Sequence, residues 1–246
     1  MKNKLTQILD NKMKEVSQKK KKRDFLGAIT NPKMGDISII AEIKLASPTA
    51  GKLGEEKDIE KQVLMYEKSY ADGISVVVDK KYFDGELEFI KQIKNTVSLP
   101  LLAKDFIIDP YQIYEAKLYG ADAILLIAKI LTKKKLQKFV KHCFDAGLEP
   151  VVEVQNKKEL EKVLNIGTRI IAVNARGLST FKVDVDGACQ LIKSIPKEFV
   201  SLGFSGVLGI NEVEQYKKAG AKGILVGITL MKSKNPGKVI KEFKGL

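Results

Sequence analysis

Eight times between residues 37 and 243, a short apolar run gives way to a stretch with apolar residues at helical spacing. The clearest copy is PLLAKDFIIDPYQIYEAKLYGADAILLIA at 100–128. Its apolar run at 101–103 ends in Lys104, and a loop crosses 105–110. Ile113, Ala116, Leu118 and Tyr119 then mark a helix closed by Gly120, before a second apolar run at 123–127. Strand, loop, helix and strand fit within the roughly 30 residues of a βαβ unit. The same reading puts strands near 37–43, 74–79, 100–104, 123–127, 149–153, 169–173, 199–203 and 223–226. Helices are expected near 56–71, 85–95, 110–119, 132–146, 156–164, 185–194, 210–218 and 236–243. Glycines at 73, 120, 147, 167 and 220 supply left-handed stops, and Asp109, Thr132, Asn156 and Asn211 supply helix caps.

Eight strand-helix units predict an α/β fold, a (β/α)8 TIM barrel, which uses roughly 250 residues as one domain. A doubly wound open sheet is the competing architecture and favours G-x-G-x-x-G after its first strand. Here the first strand is followed by Leu45-Ala46-Ser47-Pro48-Thr49. The expected organisation is therefore one domain over 1–246, with the barrel at 37–246 and an N-terminal extension at 1–36. That extension opens with an extra amphipathic helix over 3–22, with Leu5, Ile8, Leu9, Met13 and Val16 on one face, followed by a loop of Gly, Asn and Pro.

Charge and composition narrow the function. The net charge is +13, almost all from lysine, with arginine only at positions 23, 169 and 176. The lysines are spread over nearly every helix, and no aromatic residues interleave with the lysine runs to stack bases. We expect no nucleic-acid partner, and a positive field that suits an anionic substrate. No apolar run approaches the ~18 residues needed to span a bilayer, and the N-terminus lacks a signal-peptide core. The expectation is a cytoplasmic monomer with no membrane partner. Cys143 and Cys189 lack metal spacing, and the single histidine, His142, is expected on an exposed helix face. Neither a metal site nor a Ser-His-Asp triad is expected.

A barrel's chemistry sits at the C-terminal ends of its strands. Strand 1 ends in Glu42-Ile43-Lys44, and alternation turns Glu42 and Lys44 to the same side. Strand 3 contributes Lys104, strand 5 Glu153, and strand 6 Asn174 and Arg176. Two lysines and two carboxylates around one rim can divide acid and base work. Charges gathered there should be paired, so Glu42, Lys44, Lys104 and Glu153 are expected to form one network. After strands 7 and 8 come Phe204-Ser205-Gly206 and Gly227-Ile228-Thr229, where glycines let backbone amides approach a phosphate. Ser47 and Arg176 are placed to close that shell.

The motifs IIAEIKLASPTAG at 39–51, LLAKDFIIDPYQIYEAKLYGADAILLIA at 101–128, VVEV at 151–154 and VNARGLSTF at 173–181 resemble indole-3-glycerol phosphate synthase. The resemblance runs the length of the chain. It implies a cofactor-independent and metal-free carboxy-lyase of tryptophan biosynthesis, acting on a small anionic phosphate substrate, 1-(o-carboxyphenylamino)-1-deoxyribulose 5-phosphate. Ring closure, loss of CO2 and loss of water give indole-3-glycerol phosphate. By resemblance, Lys104 is the general acid for ring closure and Glu153 the carboxylate for later proton transfers. Lys44 contacts the substrate carboxylate, and Glu42 and Asn174 hold the network. Ser47, Arg176, Ser205, Gly206 and Gly227 fall where the family binds phosphate. Phe106, Leu178 and Phe204 line the pocket for the aromatic ring. Three positions depart from the family pattern: Phe204 stands for a glutamate, Gly177 for an aspartate, and Ile228 for a small polar or acidic residue. They leave open a barrel remodelled for other chemistry, such as retro-aldol cleavage through a Schiff-base lysine or a carboxylate-promoted Kemp elimination. A non-catalytic sugar-phosphate binder is the remaining alternative.

Overall fold

The computed structural model describes residues 23–246. Eight parallel strands close a barrel in chain order: β1 Ser38–Ile43, β2 Gly73–Val77, β3 Leu101–Lys104, β4 Ala123–Ile127, β5 Glu149–Val154, β6 Ile170–Asn174, β7 Val200–Phe204 and β8 Gly223–Val226. β1 pairs with β2 on one side and β8 on the other. The outer helices are α1 Ile59–Lys68, α2 Glu88–Thr96, α3 Pro110–Leu118, α4 Lys133–Asp145, α5 Lys157–Val163, α6 Val185–Lys193, α7 Ile210–Ala219 and α8 Pro236–Phe243. The barrel follows the expected alternation closely, and β4 and β8 fall on their expected residues. Strands covered on both faces read as continuous apolar runs, which is why they stand out in the sequence. The expected helix at 3–22 lies outside the described residues. Among those described, no helix is long and apolar enough to cross a membrane.

The helix caps follow side-chain chemistry. Asp109 accepts from Tyr111 N–H, Thr132 from Lys135 N–H and Asn156 from Glu159 N–H. Asn211 is not a cap but lies inside α7, and Gly209 holds the cap position. Lacking a side-chain acceptor there, the chain uses Glu212, whose carboxylate accepts from Gly209 N–H at 2.8 Å and Leu208 N–H at 3.2 Å. Glycines 120, 147, 167 and 220 adopt the expected left-handed conformation. Gly73 does not. It opens β2 beside the Phe25 ring, and Tyr70, at φ 70°, makes the left-handed turn after α1.

A helix over Phe25–Thr30 stands where a loop was expected. Gly27, Asn31 and Pro32 hide it in the sequence, but the Asp24 carboxylate caps it by accepting from Gly27 N–H at 2.9 Å. Its buried Phe25 and Ile29 join the cluster of inward-facing strand residues and plug the N-terminal end of the barrel. A buried pair fixes the same end. Lys244 Nζ pairs with Asp72 and donates to Ile37 C=O at 3.0 Å, while Asp72 also accepts from Lys33 N–H at 3.0 Å and Ile39 N–H at 2.8 Å. Burial pushes the Lys244 pKa down, opposed by Asp72. His142, expected on an exposed face, is only partly exposed, with Nδ1 2.9 Å from the Tyr114 hydroxyl across the α3–α4 contact.

Inside a barrel, side chains stack in layers of four drawn from alternate strands. Ile40, Leu102, Val151 and Leu202 of β1, β3, β5 and β7 belong to the inner apolar cluster. Two residues further along the same strands, alternation carries Glu42, Lys104, Glu153 and Phe204 into the next layer towards the mouth. The fold thus sets the position of the charged groups before any contact between them is considered.

Candidate active site

Glu42 is the centre of this layer. It is 1 % exposed, and both of its oxygens are taken by ammonium groups. Lys44 Nζ lies 2.7 Å from Oε2, and Lys104 Nζ lies 2.8 Å from Oε1. Burial pushes the Glu42 carboxyl up, but Lys104 and Lys44 more than reverse this, and its pKa falls to about 2. Burial likewise pushes the Lys104 ammonium down, and Glu42 and then Glu153 outweigh it, so its pKa is raised. Lys104 is therefore a protonated donor held by a partner that stays ionised.

Glu153 behaves differently. It is as deeply buried as Glu42, yet its Oε1 finds no hydrogen-bond partner among the described residues. Burial raises its pKa, and the opposing effects of Lys104 and the Asn174 side-chain hydrogen bond do not cancel that rise. The expected four-membered network is therefore a paired triad, Lys44–Glu42–Lys104, with Glu153 outside it. The reason is reach: Lys104 points to Glu42 and meets Glu153 only through the field. One carboxylate stays charged while the other keeps its proton to higher pH, an arrangement suited to separate roles in proton transfer.

Phe204 completes the layer. Its side chain is fully buried, and Lys104 Nζ stands 5.5 Å from its ring centroid. The ring faces the lysine from below the mouth. Gly227, just past β8, gives Glu42 its space, since a Cβ there would lie 2.1 Å from Glu42 Oε2. Ile228 begins a short helix, Ile228–Lys232.

The loops around the mouth are tied to one another. Ser47 lies in a two-stranded ladder, Ala46–Ser47 with Gly51–Lys52, and its hydroxyl accepts from Ala50 N–H at 3.1 Å. Asn174 Oδ1 accepts from Arg176 N–H at 3.0 Å, and the Arg176 guanidinium donates to Phe181 C=O at 3.0 Å. Ser205 and Gly206 are both left-handed, at φ 69° and 78°. A Cβ at Gly206 would meet Val185 at 2.5 Å and Val183 at 2.9 Å, so only glycine fits against the start of α6 and the residue two before it. Ser205 carries the strain of that conformation. The Thr229 hydroxyl donates to Val207 C=O and joins the β7 and β8 loops. Leu178 packs onto the inner cluster, and Phe106, 40 % exposed, sets its ring 6.5 Å from Phe83. Phe83 was missed in the sequence because it closes a four-residue helix, Lys80–Phe83, too short to show a period. Ser75 was also missed. It is buried inside β2 with its Oγ unpartnered among the described residues, and it lies beside Glu42 in register. Strand alternation was the available signal for it.

The family model for indole-3-glycerol phosphate synthase matches residues 1–243. The chain belongs to the indole-3-glycerol phosphate synthase family. It is 40% identical to the indole-3-glycerol phosphate synthase of Caldanaerobacter subterraneus subsp. tengcongensis, over 97% of this chain and 96% of that protein. It is 39% identical to the synthase of Priestia megaterium, over 98% and 97% of the two chains. Among solved structures, 3-hexulose-6-phosphate synthase from Salmonella typhimurium superposes with a TM-score of 0.68 at 16% identity, covering 85% of this chain and 97% of that one. That likeness speaks to the barrel alone.

Proposed function

We propose that the barrel mouth converts 1-(o-carboxyphenylamino)-1-deoxyribulose 5-phosphate to indole-3-glycerol phosphate, CO2 and water. The observation that carries this reading is Lys104, a half-buried ammonium held 2.8 Å from a buried, ionised Glu42 at the end of β3. In the first step the ring carbon bearing the carboxylate attacks the keto carbon of the sugar chain. The new C–C bond forms as the C=O bond becomes C–O, and Lys104 gives that oxygen its proton. Loss of CO2 returns an electron pair to the ring system. The hydroxyl then leaves as water, and a ring-carbon proton is lost to complete the indole. Lys44 meets the substrate carboxylate and is a second acid for the departing hydroxyl. Glu153 handles the carbon-bound proton, and Asn174 orients it.

Electrostatics support this division. An acid that remains protonated and a carboxylate with an unpartnered oxygen are needed at different steps. Ser47, Arg176, Ser205, Gly206 and Gly227 hold the phosphate, with left-handed backbone at 205 and 206. Phe106 and Leu178 form the apolar side that receives the aromatic ring, whereas Phe204, fully buried, packs against Lys104 instead of lining the pocket. The enzyme works as a cytoplasmic monomer on a free small molecule. The test is a fluorescence assay for indole-3-glycerol phosphate with purified protein. Turnover by the parent, with a loss of more than about 100-fold in Lys104→Met, is expected from removal of a general acid. A parent that forms no product removes the reading.

A further inference from the structure

Arg176 and Leu178 sit on the loop between β6 and α6, and behind that loop is a cavity of about 670 Å³. Gln155, Asn174, Gly177, Thr180, Asp184 and Leu191 are among its walls. A loop backed by open space lacks the packing contacts that would otherwise fix it. Its internal bonds, Gly177 N–H to Lys182 C=O at 2.9 Å and Phe181 N–H to Gly177 C=O at 2.7 Å, give it a shape, and Asp184 N–H to Ala175 C=O at 2.9 Å closes its base.

One side chain clasps the loop at both residues that matter. Gln155 Nε2 donates to Arg176 C=O at 2.5 Å, and Gln155 Oε1 accepts from Leu178 N–H at 3.4 Å. Gln155 is itself held, because its own N–H donates to Glu159 Oε2 at 2.8 Å, and the other Glu159 oxygen accepts from Asn156 Nδ2 at 2.9 Å. It follows β5 two residues after Glu153. We propose that Gln155 is a positioning residue that sets Arg176 and Leu178 relative to Glu153, and so tunes phosphate-ester affinity rather than the proton transfers. The proposal rests on the phosphate and ring-wall roles given to Arg176 and Leu178 above.

The test compares the parent with Gln155→Leu, which keeps the reach but removes both hydrogen bonds, and with Gln155→Glu. The glutamate can still accept from Leu178 N–H but sets a carboxylate against the Arg176 carbonyl. Steady-state kinetics on the anilino-deoxyribulose phosphate are run beside calorimetric titration with inorganic phosphate and thermal melts. Gln155→Leu should raise KM and the phosphate Kd by about tenfold, the scale of losing two net hydrogen bonds. Its kcat should stay within about threefold and its melting temperature should fall by only a few degrees, roughly 2–4 °C per kcal/mol lost. Gln155→Glu should do the same or worse, and it serves as the readout if the leucine variant does not fold. Unchanged KM and phosphate affinity would overturn the proposal, as would a loss confined to kcat or to stability. If the parent shows no turnover, the function reading fails, while the phosphate titration still decides the role of Gln155.

Discussion

Glu42→Gln separates the electrostatic role of this residue from its shape. In the unfolded chain the carboxyl titrates near 4.5, and in the folded protein at about 2. Between those values the unfolded chain binds more protons, so acid favours unfolding. The stability that Glu42 contributes is fully present above its unfolded pKa and is lost as pH falls through its folded pKa. The drop from 4.5 to about 2, at ~1.36 kcal/mol for each pH unit, corresponds to about 3 kcal/mol. By about pH 3, roughly 2 kcal/mol of this is gone. The glutamine keeps the volume and one acceptor but has nothing to titrate. Urea unfolding of parent and variant at about pH 7 and about pH 3 should show the parent losing about 2 kcal/mol more than the variant. Glu153 shifts the other way: its raised pKa gives stability below its unfolded value that is lost as pH rises through the folded one. It is present in both proteins and largely drops out of the difference. Parallel losses in the two proteins would refute the assignment of an ionised, doubly paired Glu42. The same substitution removes the strongest raising influence on Lys104, so the basic limb of kcat should move to lower pH.

Phe204→Glu adds a carboxylate beside Lys104, which favours the charged lysine. The basic limb of the pH–rate profile should move to higher pH, and an unmoved limb would count against contact between the two side chains. Gly227→Ala drives a methyl into Glu42, because a Cβ there would lie 2.1 Å from Oε2. It should cost about 1–3 kcal/mol in urea unfolding and lower kcat/KM by ~10-fold or more as the two lysines lose their anchor. Lys244→Met leaves Asp72 buried without its cation and should cost about 3–5 kcal/mol of stability, while kcat of the folded enzyme is unchanged. A fall in kcat at saturating substrate would mean that the two ends of the barrel are coupled.

The barrel was legible in the chain because its strands are buried on both faces and several of its helices are closed by a left-handed glycine. β4 and β8 are read to the residue, since nothing but apolar side chains can fill them. Glu42, Lys44, Lys104 and Glu153 were assigned to one rim by alternation and strand ends alone, and the structure does bring Glu42 to both lysines. Which carboxylate each lysine chooses was not legible, because it depends on side-chain reach across the barrel and not on spacing along a strand. Lys244 was invisible for a related reason. It is one lysine among many in the sequence, and only the folded chain shows it buried against Asp72. The helix at Phe25–Thr30 was hidden by turn-forming residues whose preferences are overridden by the burial of Phe25 and Ile29. Gln155 and Phe83 make contacts distant in sequence that leave no periodic trace.

The Asp72–Lys244 pair spans 172 residues of chain. A ribosome adds roughly 5–20 residues per second, so Asp72 emerges about 10–30 s before its cation exists. During that interval the first strands cannot dry the carboxylate, and a half-made barrel keeps its lower end wet. Sealing of the N-terminal end waits for residue 244, and a chain that breaks off earlier leaves Asp72 in water and that end of the barrel open.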